Sequence, residues 1–287
     1  MRYEQPLFRP PSEAGSLILQ VTIGCSHNAC AFCSMYQGKR FRVRSVDEIL
    51  ADIAEAKGRY VDKIFLADGD ALAMPTDELL LVLAALRGAY PQVERISLYA
   101  GPTNILEKSE EELRAIREAG VSLAYFGMES GDEQVLREIS KGATPDELAQ
   151  AGRKIQAAGI DLSATVILGL AGKERWREHA LATAALASRV NPKYLAALTL
   201  MVDEKTPLAK RVERGELTLL SPRECLEELK ILVENLDVSN CLFRSNHASN
   251  YLAVGGRLPQ EQGKMLLGIE RALKDQRLLK PETFRGL

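Results

Sequence analysis

The sequence predicts an α/β fold, a partial (β/α)6-type barrel of parallel strands that resembles a TIM barrel. Short apolar runs rich in β-branched residues alternate along the chain with longer stretches of helical periodicity. A chain of 287 residues is long enough for such a barrel. The Gly-rich dinucleotide fingerprint is absent after the first apolar run, which favours the barrel over the doubly wound nucleotide fold.

The strands are predicted where a short apolar run is bounded by polar or turn-forming residues. The runs with this character are 17–23, 63–67, 95–99, 123–128, 162–170, 194–202 and 241–245. Regular alternation of these runs with helices predicts right-handed βαβ units, because parallel neighbours need a crossover connection.

The helices are predicted from apolar periodicity and from residues that cap helix ends. Residues 46–60 carry apolar side chains on one face, and a second helix begins after Pro75. Ser109 with Glu112, and Ser221 with Glu224, form capping boxes that open two further helices. A short helix is expected to end near residue 142, and the next is capped by Thr144 with proline at its first position.

Composition and charge limit the function classes. Lys and Arg number 37 and Asp and Glu number 39, so the net charge of −2 lacks the signature of a general nucleic-acid binder. The apolar stretches are too short to span a bilayer, and the first residues do not resemble a signal peptide. We expect a cytoplasmic protein with a barrel core at 1–210. Residues 211–287 are expected to be a C-terminal extension that completes the barrel mouth and the substrate cavity.

Function in a (β/α) barrel is found at the carboxyl ends of the strands, because the loops that follow them meet at one face. The polar residues expected at that face lie at 25–33, 68–70, Tyr99, 129–130, Lys205 and 244–250. These segments are therefore the candidates for cofactor and substrate contacts.

Three of the five cysteines fall within nine residues, in the loop after the first strand. Cys25, Cys30 and Cys33 follow the spacing Cys-x4-Cys-x2-Cys, which suggests a metal site rather than disulfides. Three thiolates can hold three irons of a cubane cluster and leave the fourth iron open. Zinc is the alternative, although structural zinc usually takes a fourth protein ligand, for which His27 is the nearest candidate.

The cysteine loop in this context resembles that of the radical S-adenosylmethionine (SAM) superfamily. The commoner spacing there is Cys-x3-Cys-x2-Cys, so this chain has one additional residue between Cys25 and Cys30. Phe32 matches the aromatic position just before the last cysteine, which the resemblance places near the adenine of SAM. The resemblance covers residues 15–210 and is greatest for the subgroup of oxygen-independent coproporphyrinogen oxidase and the tRNA methylthiotransferases.

The same resemblance implies further cofactor-binding residues. Asp68, Gly69 and Asp70 match the motif that receives the methionine ammonium, and Glu129 with Ser130 matches a segment near the ribose. Lys141 stands where related barrels often place a cation for the SAM carboxylate. A glycine-containing strand end that flanks adenine is matched by Ile167, Leu168 and Gly169.

Several of these residues also have plain structural interpretations. Asp-Gly-Asp is an ordinary turn sequence, so Asp68 and Asp70 are also expected in a strand-to-helix turn. Ser130 or Asp132 is a helix N-cap candidate. The basic run 39–44 is most simply a half-exposed strand with solvated charges, and its alternative is a contact for an acidic substrate or electron donor.

The segment 244–251 is the most polar stretch at a predicted strand end. Asn246, His247 and Asn250 supply donors, acceptors and a possible proton carrier, so they are the predicted catalytic residues of the substrate cavity. The alternative interpretation is a hydrogen-bonded closing loop. Cys225 and Cys241 stand apart from the cluster loop and are predicted to be buried apolar fillers.

The resemblance implies an oxygen-sensitive enzyme with a [4Fe-4S] cluster and SAM as cofactors. Reductive cleavage of SAM would produce a 5′-deoxyadenosyl radical that abstracts hydrogen from a small organic substrate. The expected partner is a reductant such as flavodoxin or ferredoxin, and neither a nucleic acid nor a membrane is expected. Two other classes stay open, a zinc-dependent barrel hydrolase and an iron–sulfur electron-transfer protein.

Overall fold

The structure is a computed structural model that describes residues 1–58 and 60–286, and it confirms the α/β class. Within the described residues, eight strands form a mostly parallel sheet, and two short strands form a separate ribbon. The strands are β1 Leu17–Gln20, β2 Thr22–Ile23, β3 Arg42–Val43, β4 Lys63–Ala67, β5 Arg95–Tyr99, β6 Val121–Glu129, β7 Asp161–Leu168, β8 Tyr194–Thr199, β9 Cys241–Ser245 and β10 Val254–Leu258.

The helices alternate with the strands along the chain. They are α1 Val46–Ala56, α2 Thr76–Ala89, α3 Pro102–Glu107, α4 Glu110–Glu118, α5 Glu133–Glu138, α6 Pro145–Ala157, α7 Gly172–Val190, α8 Pro207–Glu213, α9 Pro222–Glu234 and α10 Gln262–Lys274. In the part of the chain described here, no helix is both long enough and apolar enough to cross a membrane.

Both predicted capping boxes are confirmed. Ser109 and Ser221 each accept a hydrogen bond from the backbone N–H three residues on, and the glutamate there bonds back to the cap residue's N–H. These reciprocal bonds satisfy donors that a helix N-terminus otherwise leaves unpaired. A third box, Ser45 with Glu48, opens α1. That helix ends at Ala56, four residues before the predicted end.

The chain divides into two compact units, which are described separately. One unit comprises residues 1–28, 35–126 and 150–162. It holds β1, β4, β5 and the first part of β6, paired in parallel in that order. The register aligns Gln20 with Ala67 and Tyr99 with Tyr125. The carboxyl ends of these strands therefore lie side by side, as the barrel prediction requires.

The first predicted strand is two strands in the structure. Leu17–Gln20 pairs with β4, whereas Thr22–Ile23 turns away and pairs antiparallel with β3 from the basic run. In that run Arg44 is buried, and it donates 2.9 Å to Asp52 and 2.8 Å to the carbonyl of Gln20. The simple interpretation of a run with solvated charges is therefore wrong for Arg44, because its charge is paired inside this unit.

The second unit comprises residues 29–34, 127–149 and 163–287. It contains the parallel strands β7, β8 and β9, followed by β10, which pairs antiparallel with β9. The sequence analysis did not predict β10 or α10. Two adjacent glycines, Gly255 and Gly256, interrupt the β10 run, so it lacks the β-branched composition by which strands are recognised.

Candidate cofactor site

The three clustered cysteines are half-exposed and form no disulfide. Cys25 directly follows the short strand β2 and the turn residue Gly24. In the other unit, the N–H of Cys33 donates to the carbonyl of Cys30 at 3.1 Å, which forms a tight turn. The loop thus offers soft sulfur ligands at a surface that a cofactor can reach.

Hydrogen bonds fix the first part of the loop within its own unit. The hydroxyl of Ser26, which follows Cys25, donates 2.9 Å to Asp70 Oδ2. The side-chain amide of Asn28, a residue with φ of 39°, donates 3.1 Å to the carbonyl of Tyr36. These bonds hold the backbone on both sides of the loop's exposed tip.

The second part of the loop is fixed within the other unit. The N–H of Ala31 donates 2.8 Å to the carbonyl of Ile139, and the carbonyl of Ala31 accepts 2.9 Å from Leu208 N–H. Ala31 is buried, whereas its neighbours Cys30 and Phe32 are half-exposed. The segment is therefore anchored by its backbone, while the side chains of Cys30, Phe32 and Cys33 are half-exposed.

Within residues 1–58 and 60–286, no group of three or more His, Cys, Asp or Glu side chains is already gathered as a metal would require. The donor set nevertheless fits an iron–sulfur cluster, because the loop supplies three cysteines outside any disulfide and no carboxylate between them. A structural zinc site would need a further ligand, and His27 in this loop is exposed.

Asp68 is fully buried at the carboxyl end of β4, and its Oδ2 atom is used within the fold. It accepts hydrogen bonds from Gly24 N–H and Gln20 Nε2, both at 2.9 Å, and from Lys39 Nζ at 3.1 Å. Burial raises the pKa of this carboxyl, while the donors from Gly24, Gln20 and Lys39 act in the opposite direction. Its second oxygen, Oδ1, is buried without a hydrogen-bond partner in the described structure.

Asp70 is equally buried and fastens the cysteine loop to α3. Its Oδ2 accepts from Ser26 Oγ at 2.9 Å and from Asn104 Nδ2 at 2.5 Å, and burial raises its pKa. The plain turn interpretation therefore describes Asp68 and Asp70 well. Lys39 and Asn104 were missed as site residues, because nothing in local spacing connects them with positions 68–70.

Gly69 is the half-exposed member of this trio and lies against the cysteine loop. Its N–H donates 2.9 Å to the carbonyl of Gly24. A Cβ atom built at this position would lie 2.8 Å from the Tyr36 ring and 2.9 Å from Cys25 Cβ. Only glycine allows this approach, so the backbone at 69 lies within reach of a group bound at Cys25.

In the second unit the structure brings together Glu129 and Lys141. Lys141 Nζ lies 3.1 Å from Glu129 Oε1, and both side chains are about one-tenth exposed. Glu129 ends β6 with φ of 64°, in the left-handed region that few non-glycine residues adopt. A strained residue that holds a nearly buried ion pair is typical of a functional strand end.

Ser130 is completely buried, and its hydroxyl accepts a hydrogen bond of 2.9 Å from the N–H of Asp132. Asp132 is the N-cap of α5, since its carboxylate accepts from Gln134 N–H and Val135 N–H. It also pairs with Arg175 at 2.7 Å, and its pKa is lowered although burial opposes that shift. The capping interpretation thus applies to Asp132, which Ser130 supports.

The carboxyl end of β7 is held from α9. Ile167 and Leu168 are buried, and Gly169 has φ of 88°. The N–H of Gly169 donates 2.7 Å to Glu228 Oε2, and Glu228 Oε1 lies 2.6 Å from Nδ1 of buried His179. Helix α9 therefore fixes the turn after β7 through one buried carboxylate, a partner that was not predicted from the sequence.

Replacing Glu228 with alanine is expected to destabilise the fold by about 3–5 kcal/mol, because a buried partner is removed and His179 and Gly169 N–H are left unpaired. Urea unfolding followed by circular dichroism measures this change. Glu227→Ala is the control, since its exposed pair with Arg223 on the same helix contributes at most about 1 kcal/mol. An equal loss of stability in both variants would contradict the role of Glu228 as the buried partner of His179 and Gly169.

The predicted catalytic segment near the C-terminus separates into different environments. Asn246 is exposed and His247 is half-buried, with its Nδ1 2.9 Å from Ser249 Oγ. Burial and the charge of Lys280 lower the pKa of His247. Asn250 is buried, and its amide donates to Ala197 O, Thr199 Oγ1 and Ser245 Oγ. The hydrogen-bonded loop interpretation thus fits Asn250, and Asn246 and His247 stay accessible.

The two remaining cysteines are buried in the second unit, as predicted. Cys225 is 5% exposed and Cys241 is 0% exposed. Burial raises the pKa of each thiol to about 12, so neither is a thiolate at neutral pH. Their burial supports the interpretation of both as apolar fillers.

Comparison with known proteins identifies the class. The Radical SAM superfamily matches residues 19–184, more than half of the chain. The chain therefore belongs to the radical SAM superfamily, whose members use a [4Fe-4S] cluster and SAM. This confirms the resemblance and the predicted cofactors, and nothing supports the zinc hydrolase or the electron-transfer protein.

Among curated relatives, the heme chaperone HemW of Bacillus subtilis is 20% identical over 210 residues, which are 72% of this chain and 54% of that protein. An uncharacterised methyltransferase of Pyrococcus horikoshii is 23% identical over 179 residues, 62% of this chain and 38% of the relative. The chain thus spans about half or less of these relatives.

Solved structures share the fold. The coproporphyrinogen III oxidase HemN of Escherichia coli superposes with a TM-score of 0.59 at 18% identity, covering 76% of this chain and 51% of HemN. Methylornithine synthase PylB gives 0.55 at 15% identity and covers 88% of this chain and 68% of PylB. At these identities the likeness establishes the architecture.

Proposed function

We propose that Cys25, Cys30 and Cys33 bind a [4Fe-4S] cluster with which this chain reductively cleaves SAM. The observation that carries the proposal is the loop itself, three half-exposed cysteines that form no disulfide in a superfamily domain that spans residues 19–184. When bound, the cluster supplies an open iron and one electron, which produce a 5′-deoxyadenosyl radical for hydrogen abstraction from a small organic substrate.

The chain's own residues would bind and orient SAM. The half-exposed backbone at Gly69 lies against Cys25, which supports a contact to the methionine ammonium. Asp68 and Asp70 would act mainly as supports of that turn, since their Oδ2 atoms already accept two or three hydrogen bonds. Phe32 would flank the adenine from the cluster loop.

Within the second unit, Glu129 and Lys141 form the charged pair expected at the ribose and carboxylate of SAM. Exchange of this ion pair for contacts to SAM would pair Lys141 with the SAM carboxylate and give Glu129 hydrogen bonds from the ribose hydroxyls. Ile167, Leu168 and Gly169 would contact the adenine, with Glu228 holding the turn. Ser130 would support Glu129 from its buried position.

Residues 1–210 would form the cofactor-binding barrel, and 211–287 would shape the substrate side, with Asn246, His247 and Asn250 as its polar residues. The proposed reductant is a flavodoxin or ferredoxin in the cytoplasm, where thiols stay reduced. The curated relatives named above are a methyltransferase and a heme chaperone, so they support no single reaction on the substrate.

Metal analysis and electron paramagnetic resonance after anaerobic reconstitution test the cofactor assignment. We expect about four irons and four sulfides per chain, because three cysteine ligands suffice for a cubane with one open iron. Addition of SAM should change the spectrum of the reduced protein. A protein that contains zinc and no iron would contradict the proposal. A spectrum that does not change when SAM is added would indicate an electron carrier instead.

A further inference from the structure

The hairpin β9–β10 in the second unit has two different faces. Gly256 pairs with Phe243, and a Cβ atom at Gly256 would lie 3.0 Å from Glu261 Cβ and 3.4 Å from Met265 Sδ. That face is therefore covered by the start of α10. Because side chains alternate along a strand, Leu242, Arg244, Gly255 and Arg257 share the opposite face.

The uncovered face carries positive charge. Arg244 and Arg257 are both exposed, and neither guanidinium makes an ion pair or hydrogen bond among the described residues. Strand β8 pairs with β9, and residues 163–168 of β7 pair with β8. Neither β8 nor this part of β7 contains Asp or Glu. Neither arginine is neutralised by an ion pair among the described residues, so the face favours an anion.

A cavity of about 320 Å³ opens beside Arg244. Its lining includes the exposed residues Arg244 and Asn246, with apolar surface from Leu242 and Ala253. Ala196 lies opposite Arg244 in the register, so its small side chain leaves room on the adjoining strand. The volume is that of a small-molecule site, and a guanidinium fork matches the two oxygens of a carboxylate or phosphate.

We propose that this cavity binds the acid group of the substrate, a small carboxylate or phosphate ester with an apolar portion. Arg244 makes the bidentate contact, Asn246 donates a further hydrogen bond, and the side chains of Leu242 and Ala253 contact the apolar portion. Arg257 adds long-range attraction from the same face. That the bound anion is the substrate rests on the proposed function. That the cavity binds an anion does not depend on the proposed function.

Saturation-transfer NMR with benzoate and phenyl phosphate tests the site on the whole chain without SAM or reductant. We expect the wild-type protein to bind at least one probe with millimolar affinity, and Arg244→Ala to weaken binding at least about tenfold. Arg244→Lys keeps the positive charge but lacks the forked guanidinium, so its affinity should lie between those of the wild type and Arg244→Ala. The favoured probe distinguishes a carboxylate from a phosphate ligand.

Arg153→Ala is the matched control, because Arg153 is an exposed arginine on α6 in the other unit. Benzyl alcohol is the neutral probe and should not bind. Failure of both anions to bind the wild type, or equal binding by wild type and a folded Arg244→Ala variant, would overturn the inference. Failure of the wild type to cleave SAM would instead refute the proposed function and leave the binding result intact.

Discussion

Cys30→Ala is expected to reduce iron and sulfide incorporation to background while the protein stays folded. One of three thiolate ligands is lost, and two cannot hold a cubane cluster in the usual way. The backbone of this segment is held by Ala31, through hydrogen bonds that do not involve the Cys30 side chain. Iron and sulfide analysis after anaerobic reconstitution gives the loading, and circular dichroism gives the fold.

Cys225→Ala is the matched control for loss of a cysteine. Its thiol is buried and has a pKa raised to about 12, so it supplies no thiolate, and loading should equal that of the wild type. A fully loaded Cys30→Ala protein would contradict the ligand assignment. Loss of loading in Cys225→Ala without unfolding would contradict it as well, because it would move a ligand outside the loop.

Gly69→Ala is expected to lower the rate of SAM cleavage on the order of 100-fold, the effect of misplacing reacting groups by about 1 Å. The added Cβ would lie 2.8 Å from Tyr36 and 2.9 Å from Cys25, closer than atoms can pack. Tyr36 is buried, so the displacement falls largely on the cysteine loop. Single-turnover assays with the reconstituted protein measure the rate.

Gly88→Ala is the control, since Gly88 lies exposed in α2 with open space around its Cβ position. Its cleavage rate should match the wild type, and the helix should gain about 0.5–1 kcal/mol because alanine is the better helix former. A Gly69→Ala protein with the wild-type rate would show that the approach of residue 69 to Cys25 has no role in the reaction.

Local signals predicted much of this fold. The capping boxes at Ser109 and Ser221 occur where expected, because a cap depends on residues only three positions apart. The β5 strand and β9 strand have the predicted bounds, since each is a short apolar run between polar segments. The cysteine loop was recognised for the same reason, as its three thiols are neighbours in sequence.

Long-range pairing could not be predicted in the same way. Asp68 was predicted to contact SAM, yet its Oδ2 accepts hydrogen bonds from Gln20 and Lys39. Both residues lie far from Asp68 in the sequence, so no local pattern predicts these contacts. Glu228 holds Gly169 from 59 positions away, which only the folded chain reveals. Burial of these carboxylates required partners, but the sequence did not show which residues would provide them.

Product analysis after anaerobic reduction of the reconstituted protein with dithionite in the presence of SAM tests whether this chain performs radical SAM chemistry. We expect 5′-deoxyadenosine and methionine in equal amounts, both absent without dithionite and in Cys30→Ala. A fully loaded and reduced protein that leaves SAM intact would contradict radical SAM chemistry in this chain. Cleavage of SAM to other fragments would contradict the proposed 5′-deoxyadenosyl radical.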